Sequence, residues 1–253
     1  FVFLFLSNSV LIMWPEKKVK KNNMIKSGYI VGTMNVFFVV TIGVFSGESE
    51  WFWFLINSMF GMGNGIVSVM IATALLPYLE TFFKITSNQT LLELSNLNHP
   101  ILKRLMSNAP GTYQHSYMVA NLADSAAEAV GANAILCRVG SYFHDIGKLT
   151  RPSFFAENQF SDENPHSTLS ARMSKLIIIS HSKDGVELAK KHKLPQEIID
   201  IIIEHHGTSL LSLFYLKAIK STEGDGAEKD EFRYPGPKPR TKESGIVMLA
   251  DSV

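Results

Sequence analysis

The sequence predicts an all-α protein in which transmembrane helices are followed by a second, helical domain. Two observations predict this fold class. The first 80 residues are rich in large apolar side chains and carry almost no charge inside the apolar runs. Beyond residue 108 the apolar residues recur at helical spacing, and no stretch alternates as a half-buried strand would. We therefore expect the C-terminal part of a membrane helix bundle joined to a helical bundle.

Two apolar runs, at 28–45 and 51–79, are the predicted transmembrane helices. At a rise of about 1.5 Å per residue, each is long enough to cross a hydrocarbon core of about 30 Å. A shorter apolar stretch at 1–13 begins without methionine, and we interpret it as the cut end of a longer span.

The charges that flank these runs predict the orientation in the membrane. A group of lysines precedes the first run, whereas Glu48 and Glu50 lie between the two runs. The lysines are Lys17, Lys18, Lys20, Lys21 and Lys26. By the positive-inside rule the lysine-rich segment is cytoplasmic. The chain after about Glu80 should therefore also lie in the cytoplasm.

Polar and glycine residues inside the apolar runs predict helix faces that pack on other helices and not on lipid. These residues are Asn35, Asn57, Gly61, Gly63, Asn64 and Gly65. A larger membrane bundle is therefore expected.

We divide the chain into transmembrane helices at 1–80, a connector at 81–108 and a helical domain at 109–253. The connector should hold two short helices, because His99-Pro100 interrupts its helical period. The next helices are expected at 111–130, 132–147, 167–179, 183–192 and 195–206. Glycines, prolines and charges then predict a long surface loop at 221–245, followed by a last helix from Ser244.

Charge and cysteine content exclude some classes of protein. The net charge is +1, from 24 basic and 23 acidic residues, so we expect no polymeric nucleic acid as a partner. The single cysteine, Cys137, excludes an internal disulfide framework. Its apolar surroundings predict a small buried residue and not a nucleophile.

Seven histidine and aspartate side chains fall at the starts or ends of the predicted helices. They are His115, His144, Asp145, His181, His205, His206 and Asp251. Imidazole and carboxylate donors without thiolate are typical of hydrolytic centres that use iron, manganese or zinc. In the adjacent pair His144-Asp145, the histidine can bind one metal while the carboxylate bridges to a second. Two cations about 3.5–4 Å apart can then act on a phosphoryl group.

Each of these residues alone is a weak signal. For His205-His206, the simpler interpretation is a polar helix end that interacts with the helix dipole. The conjunction of seven such side chains in one helical domain favours a metal site.

The string His144-Asp145-Ile146-Gly147-Lys148, with the other histidines and Asp251, resembles the HD-domain phosphohydrolases. Further phrases resemble one branch, the PgpH-type cyclic di-AMP phosphodiesterases, bacterial membrane receptors with a seven-helix region fused to a cytoplasmic HD domain. Those phrases include Asn98-His99-Pro100, Ala109-Pro110-Gly111-Thr112-Tyr113, Glu157-Asn158-Gln159, Glu163-Asn164-Pro165-His166 and Phe232-Arg233-Tyr234-Pro235-Gly236-Pro237-Lys238. The resemblance runs from about Leu79 to Val253.

The resemblance implies two divalent metal ions, manganese or iron, that share Asp145. One would be held by His115, His144, Asp145 and Asp251, and the other by Asp145, His181, His205 and His206. It implies hydrolysis of cyclic di-AMP to pApA by a hydroxide that the two metals activate. We take Asp145 and Lys148 as the candidate catalytic residues. It also implies a multi-pass protein of the bacterial cell membrane with its catalytic domain in the cytoplasm.

Four residues are candidate substrate contacts. Lys148 could neutralise a phosphate oxygen, and the alternative is a cationic residue that only interacts with a helix end. His166 could line the substrate pocket or donate a proton to the leaving oxygen, and a structural loop contact is an equal alternative. Arg233 and Tyr234 lie in a loop that could close over the phosphates or stack on an adenine.

Two alternatives remain open at the level of the sequence. One is an HD hydrolase of cyclic di-GMP or a (p)ppGpp-like nucleotide. The cyclic di-GMP branch carries Gly-Tyr-Pro after its paired histidines, whereas here Gly207-Thr208-Ser209 follows, which disfavours it. The other is a non-catalytic receptor that only senses a nucleotide, and the complete set of seven donors favours an enzyme. The sequence also leaves open whether the domain forms a homodimer.

Overall fold

The computed structural model describes residues 21–83, 85–159, 164–220 and 228–253. The predicted apolar segment at 1–13 and the lysines Lys17, Lys18 and Lys20 lie outside these ranges. The described residues form α-helices and short 3₁₀ turns, and an isolated bridge joins Leu210 to Arg233. The prediction of an all-α fold is confirmed. The chain divides into two compact units, residues 1–89 and 90–253.

The first unit contains a hairpin of two long helices, α1 (Lys21–Phe45) and α2 (Trp51–Phe83). Each contains a segment that is long and apolar enough to cross a membrane, Lys26–Phe45 and Trp51–Glu80. The turn between them passes through Gly47, whose φ of +72° lies in the left-handed region that favours glycine. Both helices agree with the apolar runs predicted from the sequence.

Small residues let the two helices approach closely. A Cβ atom on Gly65 would lie 2.5 Å from the Gly28 carbonyl oxygen and 2.5 Å from the Gly32 nitrogen. One turn away, Asn35 Nδ2 donates to the Gly61 carbonyl at 3.2 Å. The predicted packing role of Gly61, Gly65 and Asn35 is therefore confirmed.

Two of the predicted packing residues lie elsewhere. A Cβ on Gly63 would meet no atom within 4 Å, and Asn57 Nδ2 donates to Trp53 of its own helix at 2.8 Å. Because successive residues rotate by about 100°, Gly61 and Gly65 share a face that Gly63 does not. Gly63 therefore does not face α1, and its predicted packing in a larger bundle stays a prediction.

From Asn88 onward the described residues form eight further helices, and these build the second unit. They are α3 (Asn88–Leu94), α4 (Pro100–Asn108), α5 (Pro110–Val130), α6 (Ala134–Phe143), α7 (Ala171–Lys191), α8 (Gln196–Glu204), α9 (Ser212–Lys220) and α10 (Lys242–Asp251). Leu91 on α3 and Ile101 and Leu105 on α4 are buried in one core with Phe143 and Ile198. The residues from 90 to 108, predicted as part of a separate connector, thus supply part of this core.

Two of the predicted helices, at 167–179 and 183–192, form the single helix α7. The sequence Ser180-His181-Ser182 between them contains neither glycine nor proline, so nothing in it ends the helix. Helix α9 was not predicted. This helix has only nine residues, and the sequence before it, Leu210-Leu211, contains no clear signal for a helix start.

The prediction of a surface loop at 221–245 is partly wrong. Within its described residues, Phe232 is fully buried and Tyr234 is 7% exposed. Phe232 packs with Ala171, Phe214 and Ala218, which anchors the segment to α7 and α9. Helix α10 begins at Lys242, two residues before the predicted start.

Candidate metal centre

The His144-Asp145 pair lies in the turn between the end of α6 and a 3₁₀ turn at Ile146–Thr150. Both side chains are buried, with exposures of 0% and 1%. A Cβ on Gly147 would lie 1.8 Å from the His181 carbonyl oxygen, so the backbone of this turn rests directly on α7. The absence of a side chain at Gly147 therefore lets His144, Asp145 and His181 come together.

Five helices contribute donors to this point. His115 comes from α5, and His181 from α7. His205 and His206 follow α8, and Asp251 ends α10. The seven donors form two groups, and within each group the ligand atoms lie within 4.8 Å of one another. The groups are His115, His144, Asp145 and Asp251, and Asp145, His181, His205 and His206. The structure thus brings together all seven residues predicted as metal ligands.

Asp145 belongs to both groups because its two oxygens face different ways. Oδ2 lies 3.2 Å from His144 Nε2, in the first group. Oδ1 lies 3.4 Å from His181 Nε2 and 3.6 Å from His205 Nε2, in the second group. This is the arrangement that a bridging carboxylate requires.

Backbone carbonyls set the orientation of three of the imidazoles. The Nδ1 atoms of His144, His181 and His205 lie 2.7, 2.6 and 2.7 Å from the carbonyl oxygen three residues earlier. Since a carbonyl only accepts, each Nδ1 donates. When neutral, each of these rings presents the lone pair of Nε2 to the centre of the site, as a metal ligand does.

Two contacts fit the groups to a cation. Asp145 Oδ1 is buried and has no hydrogen-bond partner among the described residues. The Nε2 atoms of His181 and His205 lie 3.2 Å apart. With both rings neutral and Nδ1 donating, two lone pairs face each other, which is unfavourable unless a cation or proton lies between them. The donor set and these contacts therefore suit a divalent metal ion.

Burial keeps two of the histidines neutral. It lowers the pKa of His206 to about 2, assisted by the neighbouring imidazoles of His205 and His181. Burial also lowers the pKa of His181 to about 4, although the Asp145 carboxylate opposes this. Both rings are thus unprotonated at neutral pH and can act as ligands.

The carboxylates hold negative charge at the centre. Burial works against their ionisation, but Lys148 and His144 hold the pKa of Asp145 well below its usual range. Hydrogen bonds from His115 and His144 do the same for Asp251. Burial also opposes protonation of His144, yet the two carboxylates outweigh it and raise its pKa to about 10. The centre therefore attracts positive charge.

Lys148 and Tyr234 contact residues of the donor groups, whereas Arg233 contacts the segment that follows His206. Lys148 Nζ is 2.8 Å from Asp145 Oδ2. The Tyr234 ring lies 4.2 Å from that of His206, centroid to centroid. Arg233 donates to the Thr208 carbonyl at 3.1 Å and so fastens the segment after His206.

His166 is not part of either donor group. Its Nε2 donates to the Phe154 carbonyl at 2.9 Å, and its ring contacts Phe154 and Phe214. It borders a separate cavity of about 580 Å³ with Lys217. A role for His166 in the chemistry stays a prediction, without a contact in this structure to support it.

A cleft of about 520 Å³ opens beside His206. Its walls include Gly207, Lys238, Gly245 and Met248. Met248 was not singled out from the sequence, because nothing in its local pattern distinguishes it from a core residue. The backbone of the two glycines, the thioether of Met248 and the ammonium group of Lys238 thus line a cleft next to the candidate metal centre.

Comparison with known proteins agrees with this geometry. Residues 112–253 match the family model of the HD domain, and residues 1–87 match the model of a 7TM receptor with intracellular HD hydrolase. The chain is 43% identical to the cyclic-di-AMP phosphodiesterase PgpH of Bacillus subtilis and 41% identical to that of Listeria monocytogenes. Each alignment covers 100% of this chain and 35% of the relative, so the chain spans about a third of their length.

A solved structure also matches. It is the HD domain of L. monocytogenes PgpH in complex with cyclic di-AMP, at a TM-score of 0.59 and 51% identity. The match covers 62% of this chain and 72% of that chain. The HD model covers more than half of the residues, including all seven donors. The chain therefore belongs to the HD domain family.

Proposed function

We propose that the chain is part of a membrane phosphodiesterase that hydrolyses cyclic di-AMP to the linear dinucleotide pApA. The observation that carries this proposal is the carboxylate of Asp145, shared by two donor groups, in a domain 51% identical to one solved with cyclic di-AMP. The reaction would lower the concentration of a bacterial second messenger.

Seven residues would hold two divalent cations. His115, His144 and Asp251 would hold one with Asp145, and His181, His205 and His206 the other with the same carboxylate. When bound, the cations would supply an activated water and neutralise charge on the phosphoryl oxygens. Nitrogen and oxygen donors without thiolate favour manganese or ferrous iron as the native metal.

The other residues would position the substrate. Lys148 places an ammonium group 2.8 Å from Asp145 Oδ2, at the edge of the centre, where it could neutralise a phosphoryl oxygen. Tyr234 packs on His206 and restricts the motion of that ring. The cleft beside His206 is large enough for a nucleoside, and Lys238 on its wall could pair with the second phosphate of a cyclic dinucleotide.

The membrane part and the orientation belong to the same proposal. The match of residues 1–87 to a 7TM receptor model and the two apolar helices support a multi-pass membrane protein. The lysines that precede the apolar run of α1 and the glutamates that follow it support a cytoplasmic catalytic domain.

The test is a product analysis with the whole chain in detergent micelles or nanodiscs. After loading with Mn²⁺ or Fe²⁺, the protein is mixed with cyclic di-AMP, cyclic di-GMP, ppGpp or single-stranded RNA, and the products are separated by chromatography. We expect pApA from cyclic di-AMP and no pApA from the Asp145→Asn variant. If another nucleotide is consumed and no pApA forms, cyclic di-AMP is not the substrate. Tight nucleotide binding without turnover would favour a non-catalytic receptor.

A further inference from the structure

Two short motifs that the metal centre does not use, Gly111-Thr112 and Glu157-Asn158, contact each other. The Thr112 amide donates to Asn158 Oδ1 at 3.1 Å, and Asn158 Nδ2 donates to Thr112 Oγ1 at 2.8 Å. Thr112 Oγ1 in turn donates to Glu157 Oε1 at 2.9 Å. A Cβ on Gly111 would lie 1.8 Å from the Glu157 carbonyl oxygen, so the two backbones are in direct contact. The position of Glu157 is thereby tied to the start of α5, the helix that carries His115.

The Glu157 carboxylate meets the metal centre through Lys148. Lys148 Nζ lies 2.8 Å from Glu157 Oε1 and 2.8 Å from Asp145 Oδ2. The lysine side chain is 13% exposed, and its ammonium group also lies 5.0 Å from the centre of the Phe155 ring. The ammonium is therefore held between two carboxylates, of which only Asp145 belongs to a donor group.

A cation in this position conflicts with metal binding. Two divalent cations on the donor groups would repel the Lys148 ammonium. They would also bind the Asp145 carboxylate, so that less of its negative charge would remain to stabilise Lys148. A buried charge whose partner is removed is strongly unfavourable. Glu157 takes part in neither donor group, so its charge remains available to Lys148 when the metals bind.

We propose that Glu157 is a positioning residue whose carboxylate supplies the counter-charge that keeps Lys148 beside Asp145 when divalent cations occupy both donor groups. This inference rests on the proposed function, because it requires the cations. Thr112 and Asn158 hold the Glu157 carboxylate in place, which explains why the two motifs meet.

The test measures Mn²⁺ binding to the whole chain by competition with a fluorescent chelator, a readout independent of turnover. Glu157→Gln keeps the shape and can still accept from Thr112, and we expect it to weaken Mn²⁺ binding about tenfold, as loss of an outer-shell partner does. Lys148→Met removes the cation and should leave Mn²⁺ binding unchanged or tighter. The double variant Glu157→Gln/Lys148→Met should bind Mn²⁺ at most about threefold more weakly than Lys148→Met alone.

A general structural disturbance predicts the opposite pattern. It would make Lys148→Met weaken Mn²⁺ binding and make the effects of the two substitutions add, and either result overturns the role of Glu157. The matched control is Glu128→Gln, which should leave Mn²⁺ binding unchanged. Glu128 is exposed and lies about 24 Å along α5 from Thr112. Wild-type protein that binds neither Mn²⁺ nor Fe²⁺ would overturn the proposed function as well, which separates the two failures.

Discussion

Lys238 shows how a single residue could determine substrate binding without taking part in the chemistry. It is exposed on the wall of the cleft beside His206. We expect Lys238→Ala to raise the KM for cyclic di-AMP about fivefold, equivalent to roughly 1 kcal/mol for an exposed charge contact, with kcat unchanged. Steady-state kinetics on bis(p-nitrophenyl) phosphate, which has no second phosphate, should show no change in KM.

The control for this prediction is Lys242→Ala. Lys242 is also exposed, but it begins α10 and does not border the cleft. An equal rise in KM for the two variants would indicate a general charge effect and would contradict a contact by Lys238.

Cys137 illustrates how burial lowers the reactivity of a thiol. Its side chain is fully buried, and burial, with smaller effects of Glu243 and Asp124, raises the pKa of the thiol to about 12. Since the thiolate is the nucleophile, we expect no labelling of the native protein by iodoacetamide at pH 8, and labelling only after unfolding. Reactivity should rise with pH until about 12. Rapid labelling of the native protein at pH 8 would show that the site opens.

At the scale of helices and turns, the close contact of Gly147 with α7 decides whether the centre assembles. A Cβ there would lie 1.8 Å from the His181 carbonyl oxygen and 2.6 Å from the Gly185 nitrogen, and backbone atoms cannot move aside as side chains can. We expect Gly147→Ala to lower the free energy of unfolding by about 1–3 kcal/mol or more and to weaken Mn²⁺ binding. Thermal unfolding and metal titration measure both effects.

Gly245 provides the comparison for this prediction. It lies within α10, where a Cβ would meet only Pro239 Cβ, at 4.0 Å. Gly245→Ala should therefore be neutral or stabilising by about 0.5–1 kcal/mol, as expected for a helix interior. Similar destabilisation by both alanines would mean that the Gly147 contact is not the cause.

At the scale of the whole molecule, the charges around the two long helices predict which side of the membrane each part occupies. Ser49 lies in the turn between α1 and α2, and the lysine-rich segment precedes the apolar run of α1 in the sequence. We expect Ser49→Cys to react with a membrane-impermeant maleimide in intact cells, because the turn should lie outside. Ser107→Cys, at an exposed position of α4, should react only after the membrane is permeabilised. The reverse pattern would overturn the proposed orientation.

Much of the whole fold could be predicted because its signals are local. The lengths of two apolar runs predicted α1 and α2, and the donor chemistry of His144 and Asp145 predicted the candidate metal centre. The errors also have local causes. Residues 180–182 contain no glycine or proline, so the division of α7 into two predicted helices had no support in the sequence. The alternating glycines of α2 do not show by themselves which of them would face α1.

The amino-acid sequence was sufficient to predict the class of fold, the chemical types of the donors and the segments able to cross a membrane. These follow from side-chain chemistry and from spacing along a helix. Tertiary packing was needed to show that the two oxygens of Asp145 face different donor groups, and that Glu157 and Asp145 share Lys148. The two donor groups and the contact between Thr112 and Asn158 join residues far apart in the chain, and they depend on how closely backbones such as that of Gly147 can pack. No local pattern encodes that distance.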